Sequence, residues 1–526
     1  MAIKAAIQHE RDSTYIAFFL QQYIEDLVAD GEGMIRGERL FSDAVLPVFY
    51  DSFGFELIWD DSLKLGRALK ALSNAHLDGL DAEDYHLQAI VDLLSQNSED
   101  YEIRAGIDLL ITDGLIRFGT QLLNGKTDAR NLEPTLTFEE RLLSEDMMHQ
   151  MAQDLKVGNV SDIITRMRPR SRYYAAMMKG LAHYQMLADS GGWRPIALSV
   201  QKIEPGDTIA DLISIRERMR LEGDLAEEDA QVTDSLAQFY DLALLKAVEH
   251  FQVRHGLNPD GVIGKGTMAA MNTSAQEKVD LLKINMERLR WIHPDLDANF
   301  VLVNIAGFDL RLVLNDSLAW QTRVVTGKVA TATPVFKDEI QYIEFNPYWT
   351  VPFSISNDEI LPILKKNPDY LRTNDMELLS MSGDLVASKN VDFNSYRGKM
   401  PFMLRQGPGD GNALGRVKFL FPNKFSIYLH DTPSKSLFSR EERAFSHGCI
   451  RVADPMTLAE KLLADQGITR TQIDSIVGAK ANKRITLNQK VPILIMYSTA
   501  FADGSTIYFY KDIYKRDEAI RKTLDL

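Results

Sequence analysis

The only cysteine in this 526-residue chain, Cys449, sits in Ser446-His-Gly-Cys-Ile-Arg451, and two of the ten histidines, His430 and His447, lie within twenty residues of it. A thiol beside an imidazole can react: the ring takes the proton and the thiolate attacks an electrophilic carbon. His430 follows the alternating run Phe425-Ser-Ile-Tyr-Leu429, which reads as a strand and puts the imidazole at its end. Gly448 lets the backbone turn tightly, so a substrate carbonyl can approach the N–H groups of His447, Gly448 and Cys449. The Tyr428 hydroxyl is a candidate further donor. Together these residues supply a nucleophile, a base and an oxyanion site.

On residue types alone, two other uses stay open. A lone cysteine most often serves as a small buried hydrophobe. A zinc site from His430, Asp431, His447 and Cys449 lacks the usual paired-ligand spacing. The longer string shifts the balance. His430, fifteen intervening residues and then Ser-His-Gly-Cys-Ile-Arg resembles the active-site signature of L,D-transpeptidases with the YkuD catalytic fold. The surrounding Asn346-Pro-Tyr-Trp-Thr-Val-Pro352, Asn412-Ala-Leu-Gly415 and Arg443-Ala-Phe-Ser446 are similar to the large periplasmic YcbB type.

That resemblance implies a reaction. Cys449 would attack the amide after the third residue, diaminopimelate, of a peptidoglycan tetrapeptide stem and release D-alanine. The thioester would then pass to the side-chain amine of a neighbouring stem, giving a 3→3 cross-link. His430 takes the part of general base, oriented by a backbone carbonyl close to Asp431, and His447 and Gly448 belong to the catalytic loop. Arg451 is a candidate clamp for a stem carboxylate through its bidentate fork, or a brace for the loop. Tyr428, Ser446, Trp349 and Asn412 are the other candidate substrate contacts. No cofactor or metal is implied. The implied partners are donor and acceptor stems, carbapenems as inhibitors, and other cell-wall enzymes. An L,D-carboxypeptidase or other cysteine peptidoglycan hydrolase would use the same residues and accept water. In a papain-like peptidase the nucleophile precedes its histidine, whereas here His430 comes first. A non-enzymatic wall-binding scaffold leaves the Ser-His-Gly-Cys-Ile-Arg string without a reason.

Several units must position these residues. The length predicts two to four domains, and 45% hydrophobic with 25% charged residues is ordinary for a globular chain. A net charge of −15 argues against a nucleic-acid partner. No run of eighteen apolar residues exists. The N-terminus lacks an apolar signal region, so a periplasmic location, which the resemblance implies, requires a signal or anchor outside this sequence. The expected fold is multidomain α+β. Residues 1–204 form a mainly helical scaffold region; Glu102 to Leu123 carries helical apolar spacing and Gly125 follows as a stop. Residues 205–275 resemble a small three-helix peptidoglycan-binding module, carried by Phe251-Gln252, Asp260-Gly-Val-Ile-Gly264 and Thr267.

Residues 276–296 read as a charged connecting helix with the stripe Val279, Leu282, Met286 and Leu289. From there to 526 the period changes to two, predicting a β-rich catalytic domain at 297–526. Ile340 to Phe345 should continue its sheet into Asn346–Pro352. Val491–Ser498 and Thr506–Tyr510 should be its last strands, around Asp503-Gly504. Residues 354–404 interrupt the pattern with helix-like Asp358–Lys366 and a second short helix near Asn374–Leu379. By the resemblance, this is an insertion capping the site, with Tyr370, Tyr396 and Phe402 as candidate stem contacts or as core of the insertion itself. The glycine-rich run Gln406–Gly415 lacks the Lys-Ser/Thr ending of a phosphate loop and reads as a mobile loop near the site.

Overall fold

The computed structural model describes residues 2–30, 33–96, 99–136, 140–141, 143–230, 234–292 and 298–526. Helix α1 (Tyr101–Asn124) starts on Asp100, whose carboxylate accepts from the N–H groups of Glu102 and Ile103, and ends at Gly125 with φ 90°. Its stripe Ile103, Leu110, Ile111, Leu115, Phe118 and Leu122 is buried. Helix α2 (Arg172–Asp189) follows. In the small module, α3 (Leu242–Arg254) buries Leu244, Val248 and Phe251. The Gln252 amide there joins the segments that carry the module's signature. It donates to the Asp260 carboxylate (2.9 Å), the Val262 carbonyl (3.0 Å) and Thr267 Oγ1 (3.2 Å), and accepts from the Gly261 N–H (2.9 Å).

The expected connector is α4 (Ala275–Trp291), opened by a capping box between Ser274 and Glu277. A single apolar stripe would leave its charged side in water. Instead Lys278, Glu287, Arg288 and Arg290 are all buried, because neighbouring units supply their partners. The Glu287 carboxylate accepts from the Thr127 N–H (2.7 Å), Thr127 Oγ1 (2.8 Å) and Arg290 Nη2 (2.6 Å). Arg290 Nη1 also reaches the Asp78 carbonyl (2.9 Å) and the Tyr174 hydroxyl (3.0 Å). Lys278 pairs with Glu222, which also meets Arg254 of α3 (2.7 Å). Arg288 donates to Asp517 (2.6 Å) near the C-terminus. The spine thus bonds to the scaffold region, the module and the chain's last helix.

The catalytic region is built on strands β1 (Phe300–Asn304), β2 (Asp309–Leu314), β3 (Ser317–Gly327) and β4 (Phe336–Phe345). Then come β5 (Trp349–Thr350), β6 (Met376–Leu379), β7 (Leu385–Val386) and β8 (Met403–Gln406). Strands β9 (Val417–Leu420), β10 (Leu429–His430), β11 (Ala444–Ser446), β12 (Ile450–Val452) and β13 (Lys483–Met496) complete the main sheet. Its order is β11-β3-β12-β10-β9-β4-β13-β1-β2, and β2 also pairs with β3, so the strands from β3 round to β2 close on themselves, with β11 added alongside β3. Helices α5 (Pro455–Leu462) and α6 (Arg470–Gly478) pack on its core. The hairpin β14 (Ala500–Asp503) and β15 (Thr506–Phe509) and helix α7 (Asp517–Thr523) end the chain.

Four expectations are corrected here. Only Leu429 and His430 of the 425–430 stretch join the sheet. The Asn423 side chain claims the N–H groups of Phe425 (3.0 Å) and Ile427 (3.1 Å), and Ser426 takes φ 56°. The chain does not continue β4 through Asn346–Pro352: Asn346 turns it at φ 47°, with its amide on the carbonyls of Ile476, Val477 and Ala481. The segment 374–379 is strand rather than helix; β6 pairs with β8, burying Leu378 and Leu379. The C-terminal hairpin joins β14 to β15 and not 491–498 to 506–510. The break before β14 comes where the Ser498 and Thr499 N–H groups donate to Asn304 (3.0 Å) and Asn285 (2.9 Å). The 354–404 insertion also adds structure that the pattern does not show. It has its own sheet, β5-β8-β6-β7, and its own core around Leu364, Leu371 and Leu404.

Among the described residues no helix is long and apolar enough to cross a membrane. Removing one member of a buried ion pair leaves an uncompensated charge. Glu287→Ala, which strands Arg290, should therefore cost about 3–5 kcal/mol in urea unfolding. An unchanged unfolding midpoint would contradict the role given to α4.

Candidate active site

Strand pairing places the histidine. His430 on β10 is the cross-strand partner of Lys418 on β9 and of Arg451 on β12, so the three share one face of the sheet. Leu429, one residue earlier, points the other way and is fully buried in the main core. Lys418, His430 and Arg451 line a cavity of 560 Å³ together with Cys449, which lies one residue before β12.

Hydrogen bonds fix the cysteine loop. Ser446 Oγ donates to the Cys449 carbonyl (2.6 Å) and accepts the Gly448 N–H (3.1 Å). Thr331 Oγ1 holds the Ser446 carbonyl (3.0 Å), and Thr333 Oγ1 holds the Gly448 carbonyl (2.8 Å). Gly448 has φ 113°, a region that glycine alone adopts without strain, and any Cβ there would lie 3.2 Å from the Ile427 side chain. Ser446 lines the cavity, but its hydroxyl serves the loop. Because the Gly448 N–H is already engaged, the backbone oxyanion donors reduce to the N–H groups of His447 and Cys449.

Electrostatics set the resting state of the pair. His430 is buried, and its Nδ1 meets the Asp431 carbonyl at 2.5 Å, so in the neutral ring the lone pair sits on Nε2. The orienting group is thus a carbonyl; the Asp431 carboxylate instead binds the Arg416 N–H (2.9 Å) and Lys435 (2.6 Å). Burial, then Arg451 and Lys418, push the His430 pKa down to about 3. Burial raises the Cys449 thiol above its ordinary range, against the Tyr428 N–H and hydroxyl, Lys418 and Arg451, which all favour the thiolate. The thiol proton points at the Ser426 carbonyl (3.7 Å), and no hydrogen bond between Cys449 and the His430 ring occurs among the described residues. The site rests as neutral thiol and neutral imidazole, and proton transfer must accompany attack.

The insertion and the strand β5 that leads into it supply the opposite wall, with Ile355 and Glu359 of the insertion and Trp349 of β5 facing the cavity. His447 is an exposed loop residue whose Nε2 meets Glu359 at 2.6 Å, tying the cysteine loop to the insertion. Tyr428 and Trp349 line the cavity. Asn412 does not: it is buried, with its amide on the Pro347 (3.1 Å) and Gly407 (2.8 Å) carbonyls and its oxygen accepting the Leu414 N–H (2.8 Å). These bonds pin the glycine-rich loop that composition marked as mobile. Of the two readings open for Tyr370, Tyr396 and Phe402, the structure favours core: they pack on the insertion's own core and do not line this cavity. Sequence reasoning missed Lys418 and Glu359. A lysine amid Val417, Phe419 and Leu420 was a readable signal; nothing local marks Glu359. Among the described residues no cluster of three or more His, Cys, Asp or Glu is arranged to hold a metal.

The neutral resting pair has a pH consequence. A thiol raised above its ordinary pKa is mostly protonated at neutral pH, so alkylation of Cys449 by iodoacetamide should accelerate steadily with pH through the neutral range and beyond. A rate already flat between about pH 5 and 8 would indicate a preformed thiolate–imidazolium pair and contradict this.

Comparison with known proteins agrees with the geometry. Residues 298–493 match the family model for the L,D-transpeptidase catalytic domain, YkuD. Residues 44–181 match a scaffold domain, and residues 229–271 a "putative peptidoglycan binding domain". A "Putative L,D-transpeptidase" of Haemophilus influenzae is 34% identical over 239 residues, which is 45% of this chain and 48% of that protein. The chain thus spans about half the length of the curated relative it matches. Solved L,D-transpeptidases of Stackebrandtia nassauensis and Xylanimonas cellulosilytica are each 13% identical. They cover 59% and 57% of this chain and 100% of their own, at TM-scores of 0.22 and 0.18, too low to add weight. The signature residues around Cys449 therefore lie in an L,D-transpeptidase catalytic domain of the YkuD family, carried on one chain with a scaffold domain and a peptidoglycan-binding domain.

Proposed function

We propose that the chain is a cysteine acyltransferase of the large periplasmic YcbB type, which forms 3→3 cross-links between peptidoglycan stems. One observation carries this reading: a thiol and a neutral imidazole anchored on a carbonyl face the same cavity, in the loop geometry that Gly448 permits. In the first half-reaction, the Cys449 sulfur bonds to the carbonyl carbon of the stem's third residue as His430 Nε2 takes the thiol proton. The N–H groups of His447 and Cys449, with the Tyr428 hydroxyl, face the oxyanion. Collapse breaks the C–N bond, and His430 returns the proton to the departing D-alanine amine. In the second half-reaction, the acceptor's side-chain amine attacks the thioester, its proton passes through His430, and the thiol leaves. The insertion, held to the loop through Glu359 and His447, shields the thioester from water and favours the amine. The same nucleophile would be acylated by carbapenems. The peptidoglycan-binding domain would keep the enzyme on the wall.

Product analysis with a disaccharide-tetrapeptide donor, with and without an acceptor stem, tests the reading. Cross-linked dimer and free D-alanine should appear with the parent chain and be absent with Cys449→Ala. His430→Ala should slow acylation by about 10²–10⁴. His447→Ala should slow it less, since it removes only the tie to Glu359. The reverse order would overturn the base assignment, and D-alanine release without dimer at saturating acceptor would make the enzyme a hydrolase.

A further inference from the structure

The face that carries His430 carries more positive charge than the protein neutralises. Across β13, β4, β9, β10 and β12 the paired residues are Arg484, Glu344, Lys418, His430 and Arg451. The one acid in that row, Glu344, is engaged on its far side by Arg484 (2.8 Å) and Asn482 (3.0 Å). Lys418 has no ion pair among the described residues; its Nζ lies 4.0 Å from the centroid of the Tyr428 ring. The Arg451 guanidinium makes no hydrogen bond among the described residues, and its Nε is buried without a partner. Elsewhere the buried Arg254, Arg288, Arg290 and Arg311 each meet a carboxylate, and the buried Arg218 and Arg443, which do not, donate to backbone carbonyls.

Lys418 and Arg451 are both half-buried, and withdrawing a cation from water without an anion is unfavourable; both line the cavity that contains the nucleophile. We propose that Lys418 and Arg451 form a carboxylate subsite that binds the free α-carboxylate of the residue leaving from the scissile amide. This rests on the reading of Cys449 as the acylated nucleophile. Arg451 is two residues from Cys449 along the chain, and Lys418 is two strands from Arg451, about 10 Å at ordinary strand spacing. One residue spans about 3.5 Å, so a carboxylate one residue past the attacked carbonyl falls beside the cations. One more residue would put a neutral amide there and carry the carboxylate onward. The subsite therefore measures donor length, favouring peptides that end one residue beyond the acyl position. Lys418, absent from the signature around Cys449, is assigned here as a substrate-binding residue.

The test uses the full chain, one acceptor stem and two donors differing only at the C-terminus: the tetrapeptide free acid and its C-terminal amide. The parent should prefer the acid in kcat/KM by about tenfold or more. Lys418→Gln and Arg451→Gln should each bring the acid-to-amide ratio toward one, mainly through the acid's KM. Lys418→Arg should keep the preference. The ratio is insensitive to any general loss of thiol reactivity, and iodoacetamide labelling of Cys449 confirms that each variant's site is formed. Equal use of both donors by the parent, or an unchanged ratio in Lys418→Gln, overturns the subsite and leaves the acyltransferase reading standing. Failure of the parent to be acylated by either donor overturns both.

Discussion

The active site depends on the register of a two-residue strand. β10 contributes only Leu429 to the core and His430 to the cavity, and a slip of one residue would exchange them. Several contacts prevent that slip. Upstream, Asn423 gathers the loop through its four hydrogen bonds to Phe421, Phe425 and Ile427. Downstream, the Asp431 carboxylate is fixed by Arg416 and Lys435, leaving its carbonyl to orient the imidazole. Gly415 packs so tightly on Asp431 that a Cβ would lie 2.4 Å from its carboxyl carbon. On either side, β9 and β12 set which charges His430 meets. The low basicity of the ring thus follows from the same pairing that positions it.

The second constraint operates at the scale of the whole chain. α4 carries charges that stay buried because Glu287 and Arg290 pair with each other and three separate regions supply further partners: Glu222, Asp517, and Thr127 with the Asp78 carbonyl. Gly125 shows how closely they approach: at φ 90° it lies where a Cβ would be 2.6 Å from both Glu287 Oε1 and Trp291 Nε1. Such pairs add little net stability over apolar packing, but they penalise every arrangement that leaves one charge unpaired. They hold the small module and the chain's last helix to α4.

Much of this was legible in the sequence, for physical reasons that also mark where it was not. Alternation located β1, β2 and the core of β3 because each buries one face; α1 announced itself through its stripe, its Asp100 cap and Gly125. Cys449 and His430 were legible because a reactive thiol needs its base and a turning glycine in a fixed pattern. Long-range partners were not. No local signal tells that Asn423 will claim the N–H groups of a strand-like run, or that Asn346 will divert β4. Nothing local shows that the charged side of α4 will find Thr127, Glu222 and Asp517. Asn412 stood in the right neighbourhood but turned inward to brace a loop. Lys418 looked like an ordinary strand lysine until pairing set it beside His430.

The account turns on a thioester at Cys449. Intact-protein mass spectrometry after brief incubation with a disaccharide-tetrapeptide, without acceptor, tests this directly, with peptide mapping to locate the adduct. The predicted result is one added donor mass less D-alanine, confined to the peptide containing Cys449, labile to hydroxylamine and absent in Cys449→Ala. Cross-linked product formed while the Cys449 peptide stays unmodified, and still formed by Cys449→Ala, would contradict it.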